Sequence, residues 1–318
     1  MMKDYHICLS IEEMDPDFAR MKHALEKIAN VTVVGLSGYS LAGFDIFIGK
    51  KMSREILATA DQLQLIFAYK TGVDDFPLDE IAKRGIQVIN SHADSDFIAQ
   101  YAFGLGISLT SRIPEFDKKF RRGIWYDHEN PYWKSIFEMK IGLAGYGHIG
   151  QAIHKILYNN RIDTYTINRG KKYAHIKTVP DLTTLCDTCD MLILSLPKIP
   201  ATDCIIDREM LTHLKNKYLV NVGRGNCIDL RALFDALSNK ELAGAAIDTW
   251  NQKPAKDEVD FFPFEVPLHT LDNIVLSPHQ AMKVSRGHEQ YVTDITKKVI
   301  SYILTGELSD IVDLQKGY

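Results

Sequence analysis

The chain has 318 residues, 46% of them hydrophobic and 25% charged, and its 37 Lys and Arg stand against 41 Asp and Glu for a net charge of −4. That length suits about two domains with cores of their own, and a weakly acidic balance lacks the broad positive field of a nucleic-acid binder. No apolar stretch nears the roughly 18–20 residues that cross a bilayer, so neither nucleic acid nor membrane is expected as a partner.

Met1-Met2-Lys3-Asp4-Tyr5 runs into Glu12-Glu13 without the apolar run of a secretory signal. Five cysteines are an odd number and too few for a disulfide framework. We expect a cytoplasmic protein.

In chain order, the first strand candidates are Ile7–Leu9, Val31–Leu36, Phe44–Ile48, Leu63–Tyr69 and Gln87–Ile89, rich in Val, Ile and Phe. Helical signals alternate with them. Asp15-Pro16 sets a capping acceptor before a proline at the first helical position and leads into Phe18–Ala29. Ser53 precedes Arg54–Ala60, and Pro77 precedes Leu78–Arg84, which Gly85 closes. Such alternation predicts a parallel sheet with helices on both faces. From Asp94 to about Arg122 the spacing of Phe97, Ile98, Tyr101, Ala102, Leu105 and Leu109 predicts one long helix connecting two domains. An aromatic segment, Gly123–Trp133, follows. Strands are then predicted at Asp163–Ile167, Met191–Leu194, Tyr218–Val222, Ala245–Ile247 and Ile274–Leu276, a loop from Asn251 to Leu268, and a last helix over about 284–304.

The strongest local signal is Ile141-Gly142-Leu143-Ala144-Gly145-Tyr146-Gly147-His148-Ile149-Gly150, an apolar strand entering Gly-x-Gly-x-x-Gly and then an amphipathic helix. In this pattern Gly145 permits the tight turn, Gly147 lets the backbone approach a pyrophosphate, and Gly150 lets helix and strand pack closely. The helix N-terminus offers N–H groups to that anion. An NAD enzyme usually places an acid about 20 residues on, for the ribose 2′-hydroxyl. Here Asn168 stands in that region, followed by Arg169-Gly170-Lys171-Lys172. No carboxylate opposes a 2′-phosphate and three cations are present to hold one, so NADP is expected in preference to NAD; a solvated basic turn is the plainer account.

Together with that turn, Asn221-Val222-Gly223-Arg224-Gly225, Gly244-Ala245-Ala246-Ile247-Asp248 and Ser277-Pro278-His279 occur in the order of the D-isomer-specific 2-hydroxyacid dehydrogenases, which the chain resembles over nearly its whole length. Thr71-Gly72-Val73-Asp74 and the ending from Gly306 to Tyr318 are similar too. The resemblance implies two Rossmann-like α/β domains: a discontinuous, flavodoxin-like substrate domain over 1–102 and 287–318, and a dinucleotide domain over 103–286. It places the active site in the cleft between them, implies a homodimer, and leads us to expect no regulatory domain beyond Tyr318. It also implies reduction of a 2-keto acid to the D-2-hydroxy acid. Arg224 would bind the carboxylate and polarise the keto oxygen, and His279 would donate the proton. Thr71 and Gly72 would offer backbone N–H groups to the carboxylate. Ser195 and Pro197, Val222 and Gly223, and Asp248 would border the cofactor with Tyr146, His148 and Ile149. Glyoxylate and hydroxypyruvate are the first substrates to try.

Two departures matter. Where the family has a glutamate paired to the histidine, this chain has Lys253 before Pro254. A carboxylate of the following loop, among Asp257, Glu258, Asp260 and Glu265, is expected to supply the missing charge, with Glu258 and Glu265 favoured. If Lys253 itself faced His279, it would lower the pH at which the donor is charged. The second departure is Lys70, where relatives have a small residue. Pointing inward, it would meet a second anionic group and favour a phosphorylated hydroxy acid; otherwise it is a lysine in solvent. Lys253 also keeps open a different class, a catalytically weak dinucleotide sensor of the corepressor type. Cys186-Asp187-Thr188-Cys189 has metal or redox spacing without a second ligand pair and is read as two buried small residues. Lys118-Lys119-Phe120-Arg121-Arg122 is read as a solvated helix end. No metal site is expected.

Overall fold

The computed structural model describes residues 4–125, 132–168, 170, 173–255 and 258–318. Two compact units emerge, Met1–Asp94 with Val284–Tyr318, and Ser95–Lys283.

Unit 1 begins with β1 (His6–Ser10), α1 (Pro16–Leu25), β2 (Asn30–Val34), β3 (Ile46–Gly49), α2 (Arg54–Ala58), β4 (Leu65–Ala68), α3 (Leu78–Lys83) and β5 (Gln87–Asn90). The caps act as their residue types require. Asp15 accepts from the Asp17 and Phe18 amides, Ser53 from the Ile56 amide, and Gly85 turns the chain at φ +68°. The strands form one parallel sheet ordered β2-β1-β3-β4-β5, the flavodoxin-like winding. Ile7, Leu9, Ile46, Ile48, Leu65 and Phe67 point to one face. Cys8, Phe47, Ile66 and Ala68, between them in sequence, point to the other. Both faces are covered, which is why these strands are continuously apolar.

Unit 2 opens with two helices, α4 (Ser95–Thr110) and α5 (Ile113–Phe120). The single long helix expected over 94–122 is corrected here: Arg112 takes left-handed backbone at φ +55°, and Pro114 sits in the first turn of α5. A proline there has no N–H to give to the turn behind it. All of α4 belongs to unit 2. The aromatic segment 123–133 lies partly outside the described residues, at 126–131.

The sheet of unit 2 comprises β6 (Ile141–Ala144), β7 (Thr164–Ile167), β8 (Lys177–Val179), β9 (Met191–Leu194), β10 (Tyr218–Asn221), β11 (Gly244–Ile247) and β12 (Ile274–Leu276). The helices between them are α6 (His148–Asn159), α7 (Leu182–Thr188), α8 (Arg208–Thr212) and α9 (Leu230–Ser238). The order is β12-β11-β10-β9-β6-β7-β8, all parallel, with the winding reversing between β6 and β9. That is the doubly wound dinucleotide-binding order extended by one strand. Met191, Ile193, Val220 and Ala246 pack under α4 and α6, while Leu192, Leu194, Leu219, Ala245 and Ile247 pack under α7, α8 and α9. Cys186 and Cys189 are buried in this second layer, and burial pushes both thiols up to about 12. They are unreactive packing groups. The chain then returns to unit 1 as α10 (Gly287–Thr305), whose Val292, Ile295, Val299 and Ile303 cover the same face as α1. No described helix is long and apolar enough to cross a membrane.

Candidate active site

At the carboxyl edge of the unit 2 sheet, five neighbouring strand ends carry the residues singled out above. The glycine turn follows β6, Ser195-Leu196-Pro197 follows β9, Val222-Gly223-Arg224 follows β10, Asp248 follows β11 and Ser277-Pro278-His279 follows β12. The loops pack closely at their glycines. A Cβ on Gly145, which lies at φ +101°, would meet the Ser195 carbonyl oxygen at 2.8 Å. On Gly150 it would meet the Gly145 carbonyl oxygen at 2.2 Å, and on Gly223 the Leu196 nitrogen at 2.6 Å. Gly147 differs, since nothing lies within 4 Å of its Cβ position. It is the N-cap of α6, and no side chain caps that helix. An anion of pyrophosphate type fits such a turn: the space at Gly147 is open and no side chain takes the first helix amides. Ser195 Oγ donates to the Gly145 carbonyl at 3.1 Å, tying the two loops on either side of the winding reversal.

Arg224 is held by its own strand end. The Asn221 side chain accepts from the Gly223 amide and donates to the Arg224 carbonyl, both at 3.0 Å. Asn221 was quoted within a motif above but given no role; its signal is an amide side chain at a strand end just before a glycine turn, a common local brace. Arg224 itself is half-buried and donates to the Gly223 carbonyl at 3.1 Å.

His279 takes left-handed backbone at φ +57°, a conformation costly for a residue with a Cβ. Asp248 over-determines it. Its carboxylate, 1% exposed, accepts the Ser277 hydroxyl and the amides of Gln280 at 2.8 Å and Ala281 at 3.2 Å. The Tyr101 hydroxyl lies 2.8 Å from Ser277 Oγ, and the Trp250 indole donates to the Ser277 carbonyl at 2.8 Å. Neither Tyr101 nor Trp250 is visible as a site residue in the sequence, because each reaches the loop from a distant segment.

The His279 pKa lies below its ordinary value, chiefly through burial. Asp248 opposes the shift, while Lys253, Arg224 and Lys283 add to it. Among the described residues the carboxylate acting on His279 is Asp248, and Glu258, Asp260 and Glu265 are not among the charges that shift it. Glu258, Asp260 and Glu265 are exposed, and Glu258 accepts from the Ala255 amide at 3.0 Å. Trp250 packs on Phe264, while Phe262 stacks on His269 and stays exposed, as the acids do. Asp257 lies outside the described residues. Lys253 is exposed and acts on His279 by charge alone, with no hydrogen bond between them.

Tyr146 and Ile149 of the turn are half-buried and His148 is exposed. Asn168 follows β7 and accepts from the Gly170 amide at 2.9 Å, shaping the start of the β7–β8 connection. Arg169, Lys171 and Lys172 lie outside the described residues. In unit 1, the Thr71 hydroxyl meets Asp94 Oδ1 at 2.7 Å, the Ser91 carbonyl at 2.9 Å and the Tyr291 hydroxyl at 3.2 Å, and the Asn90 side chain donates to the Thr71 carbonyl at 2.6 Å. The Thr71–Gly72 turn is thus braced from β5 and α10. Lys70 is paired with Asp75 and lies 5.7 Å over the Phe76 ring, so it is not a side chain loose in solvent.

Comparison with known proteins bears on the same residues. A sequence model described as D-isomer specific 2-hydroxyacid dehydrogenase, NAD binding domain, matches residues 103–281. A glyoxylate reductase of Thermofilum pendens is 33% identical over 81% of this chain and 77% of its own length. A D-3-phosphoglycerate dehydrogenase of Methanocaldococcus jannaschii is 30% identical over 83% of this chain, which spans only 50% of that protein. A crystal structure of a protein from Pyrococcus horikoshii OT3 superposes with a TM-score of 0.84 at 28% identity, covering 98% of this chain and 96% of that one. With the strand-end motifs and both sheets in place, the chain belongs to the D-isomer specific 2-hydroxyacid dehydrogenases, a family of NAD(P)-dependent oxidoreductases.

Proposed function

We propose that this chain reduces a small 2-keto acid to the D-2-hydroxy acid, with glyoxylate and hydroxypyruvate as first substrates, and with NADP preferred over NAD. The observation that carries the reading is that one sheet edge gathers an uncapped glycine turn, an arginine braced by its own strand end and a histidine under the charge of that arginine. The turn from Gly145 to Gly150 would hold the pyrophosphate. Asn168, Arg169 and Lys172 would hold the adenine ribose, and Ser195, Pro197, Val222, Gly223 and Asp248 would border the rest of the cofactor. When bound, the reduced nicotinamide supplies a hydride to the keto carbon. Arg224 binds the substrate carboxylate with its planar fork and draws charge onto the keto oxygen. His279, as imidazolium, gives its proton to that oxygen, leaving neutral imidazole to be reprotonated from solvent. Asp248 holds the loop that aims the ring. In unit 1 the Thr71–Gly72 turn offers backbone amides to the carboxylate.

A phosphorylated hydroxy acid is the second substrate class, supported by Lys70 and by the relative named for phosphoglycerate. We further propose that 1–102 with 287–318 serves the substrate and 103–286 the dinucleotide, that the protein is cytoplasmic, and that it is a homodimer. Exposed Ile113, Phe120, Trp125, Tyr132 and Trp133 of unit 2 support the dimer; sedimentation showing only single chains at micromolar concentration overturns it. A sensor with weak catalysis is the second reading, favoured by the three cations that oppose protonation of His279. Oxidation of NADPH followed spectrophotometrically over a panel of 2-keto acids tests the proposal. Turnover of glyoxylate or hydroxypyruvate supports it, and dinucleotide binding without turnover of any member replaces it with the sensor.

A further inference from the structure

His154 sits on α6, 7% exposed, away from the strand ends that carry Arg224 and His279. One ring nitrogen, Nδ1, lies 2.5 Å from the Tyr146 hydroxyl, and the other, Nε2, lies 3.1 Å from the His175 carbonyl oxygen. A carbonyl only accepts, so Nε2 carries the hydrogen, and Nδ1 of a neutral ring then accepts from the tyrosine. Burial lowers the His154 pKa, which keeps the ring in that neutral form. Tyr146 is the residue between the first two glycines of the turn. His175 closes the β7–β8 connection that begins at Asn168, and it holds left-handed backbone at φ +65°, which needs support in a residue with a Cβ. Two aromatic contacts run beside the link. Tyr173 packs edge-on to Tyr146 at 4.5 Å, and Tyr158 lies 5.0 Å from His175.

We infer that His154 is a positioning residue. It ties the connection following β7 to the glycine turn, and through that tie it sets the discrimination between NADPH and NADH. The inference rests on the dinucleotide reading above and goes beyond it in naming a buried group outside the glycine turn and the Asn168–Lys172 segment. Its chemistry is specific: a side chain at 154 must offer an acceptor toward Tyr146 and a donor toward the His175 carbonyl. Neutral imidazole offers one of each, in opposite directions.

The test uses the full chain with His154→Ala, His154→Gln and Tyr146→Phe. Dissociation constants for NADPH and NADH are measured by fluorescence titration, and hydrogen exchange over 142–150 and 173–176 is measured without cofactor. His154→Ala should lower the NADH-to-NADPH ratio of dissociation constants by about 3- to 10-fold, the range expected when a buried hydrogen bond is lost, and should speed exchange over 173–176. His154→Gln, which retains a donor toward His175, should keep more of the ratio than His154→Ala. Equal weakening of both cofactors is what a merely structural role would give, and it overturns the inference, as does unchanged exchange over 173–176. If the unmodified protein binds NADPH and NADH equally, the NADP preference proposed above fails, and the discriminating role of His154 fails with it. Should His154→Ala not fold, Tyr146→Phe removes one hydroxyl only and is judged by the same ratio and the same exchange.

Discussion

Both sheets wind parallel strands under helices, yet their first helices begin in opposite ways. In unit 1, β1 runs into Ile11-Glu12-Glu13-Met14-Asp15, and α1 is closed by its own carboxylate. Asp15 Oδ1 accepts two helix amides at 2.9 Å, and Oδ2 lies 2.6 Å from His288. In unit 2, β6 runs into a glycine turn and α6 starts at Gly147 with no side-chain cap. An aspartate occupies the amides and neutralises the positive end of the helix; a glycine leaves both to a ligand. One winding rule therefore yields a self-sealed helix in one unit and a helix without a side-chain cap in the other, and the choice is made by a few loop residues.

The largest effect should come from Arg224→Ala. It removes a two-pronged charge-assisted contact, so kcat/KM for the keto acid should fall roughly 100-fold or more, while titration with NADPH still shows binding. Unchanged kinetics would place Arg224 outside the site and leave unit 2 as a receptor only.

Gly147→Asp makes unit 2 resemble unit 1. The backbone there, at φ −79° and ψ −158°, suits any residue, and its Cβ position is open. An aspartate should cap α6, leave thermal stability equal or slightly higher, and weaken dinucleotide binding by about 10- to 100-fold. Undiminished affinity in a fluorescence titration would break the comparison.

The reverse change, Asp15→Ala, should cost about 1 kcal/mol in chemical denaturation and leave dinucleotide affinity as it was. A loss of affinity would show that α1 is more than a sealed helix.

The smallest effect concerns Lys253→Glu. In the proposed mechanism imidazolium is the form of His279 that donates, so reduction should slow as pH rises through a pKa that burial, Lys253, Arg224 and Lys283 hold below its ordinary value. Replacing that cation with an anion raises the pKa, so the falling limb of the rate profile should move to higher pH. An unmoved limb would show that the exposed lysine is screened by water.

Much of the fold is legible because its causes are local. Apolar runs flanked by Asp15, Ser53 and Gly85 mark strands and helix ends through capping and turn chemistry that acts within a few residues. β8 escapes such reading, since Lys177–Val179 is three residues long and two of them are polar. The break between α4 and α5 is marked locally by Pro114, but the apolar spacing continues across it from Leu109 to Ile113 and Phe116 and hides it.

The division is sharper at the site. The strand-end motifs, the glycine turn and the identities of Arg224 and His279 are properties of the sequence, since each lies within one short segment. Which carboxylate governs His279 was decided only by tertiary structure: Asp248 and His279 stand 31 positions apart in the chain and share a loop contact because β11 and β12 are neighbours. The same holds for Lys253, whose charge acts on His279 although the two stand 26 positions apart, and for His154, whose two partners come from either side of α6. Composition and pattern dictate what each segment can form by itself; distances between charges, and hence the pKa of His279, exist only once the segments have packed.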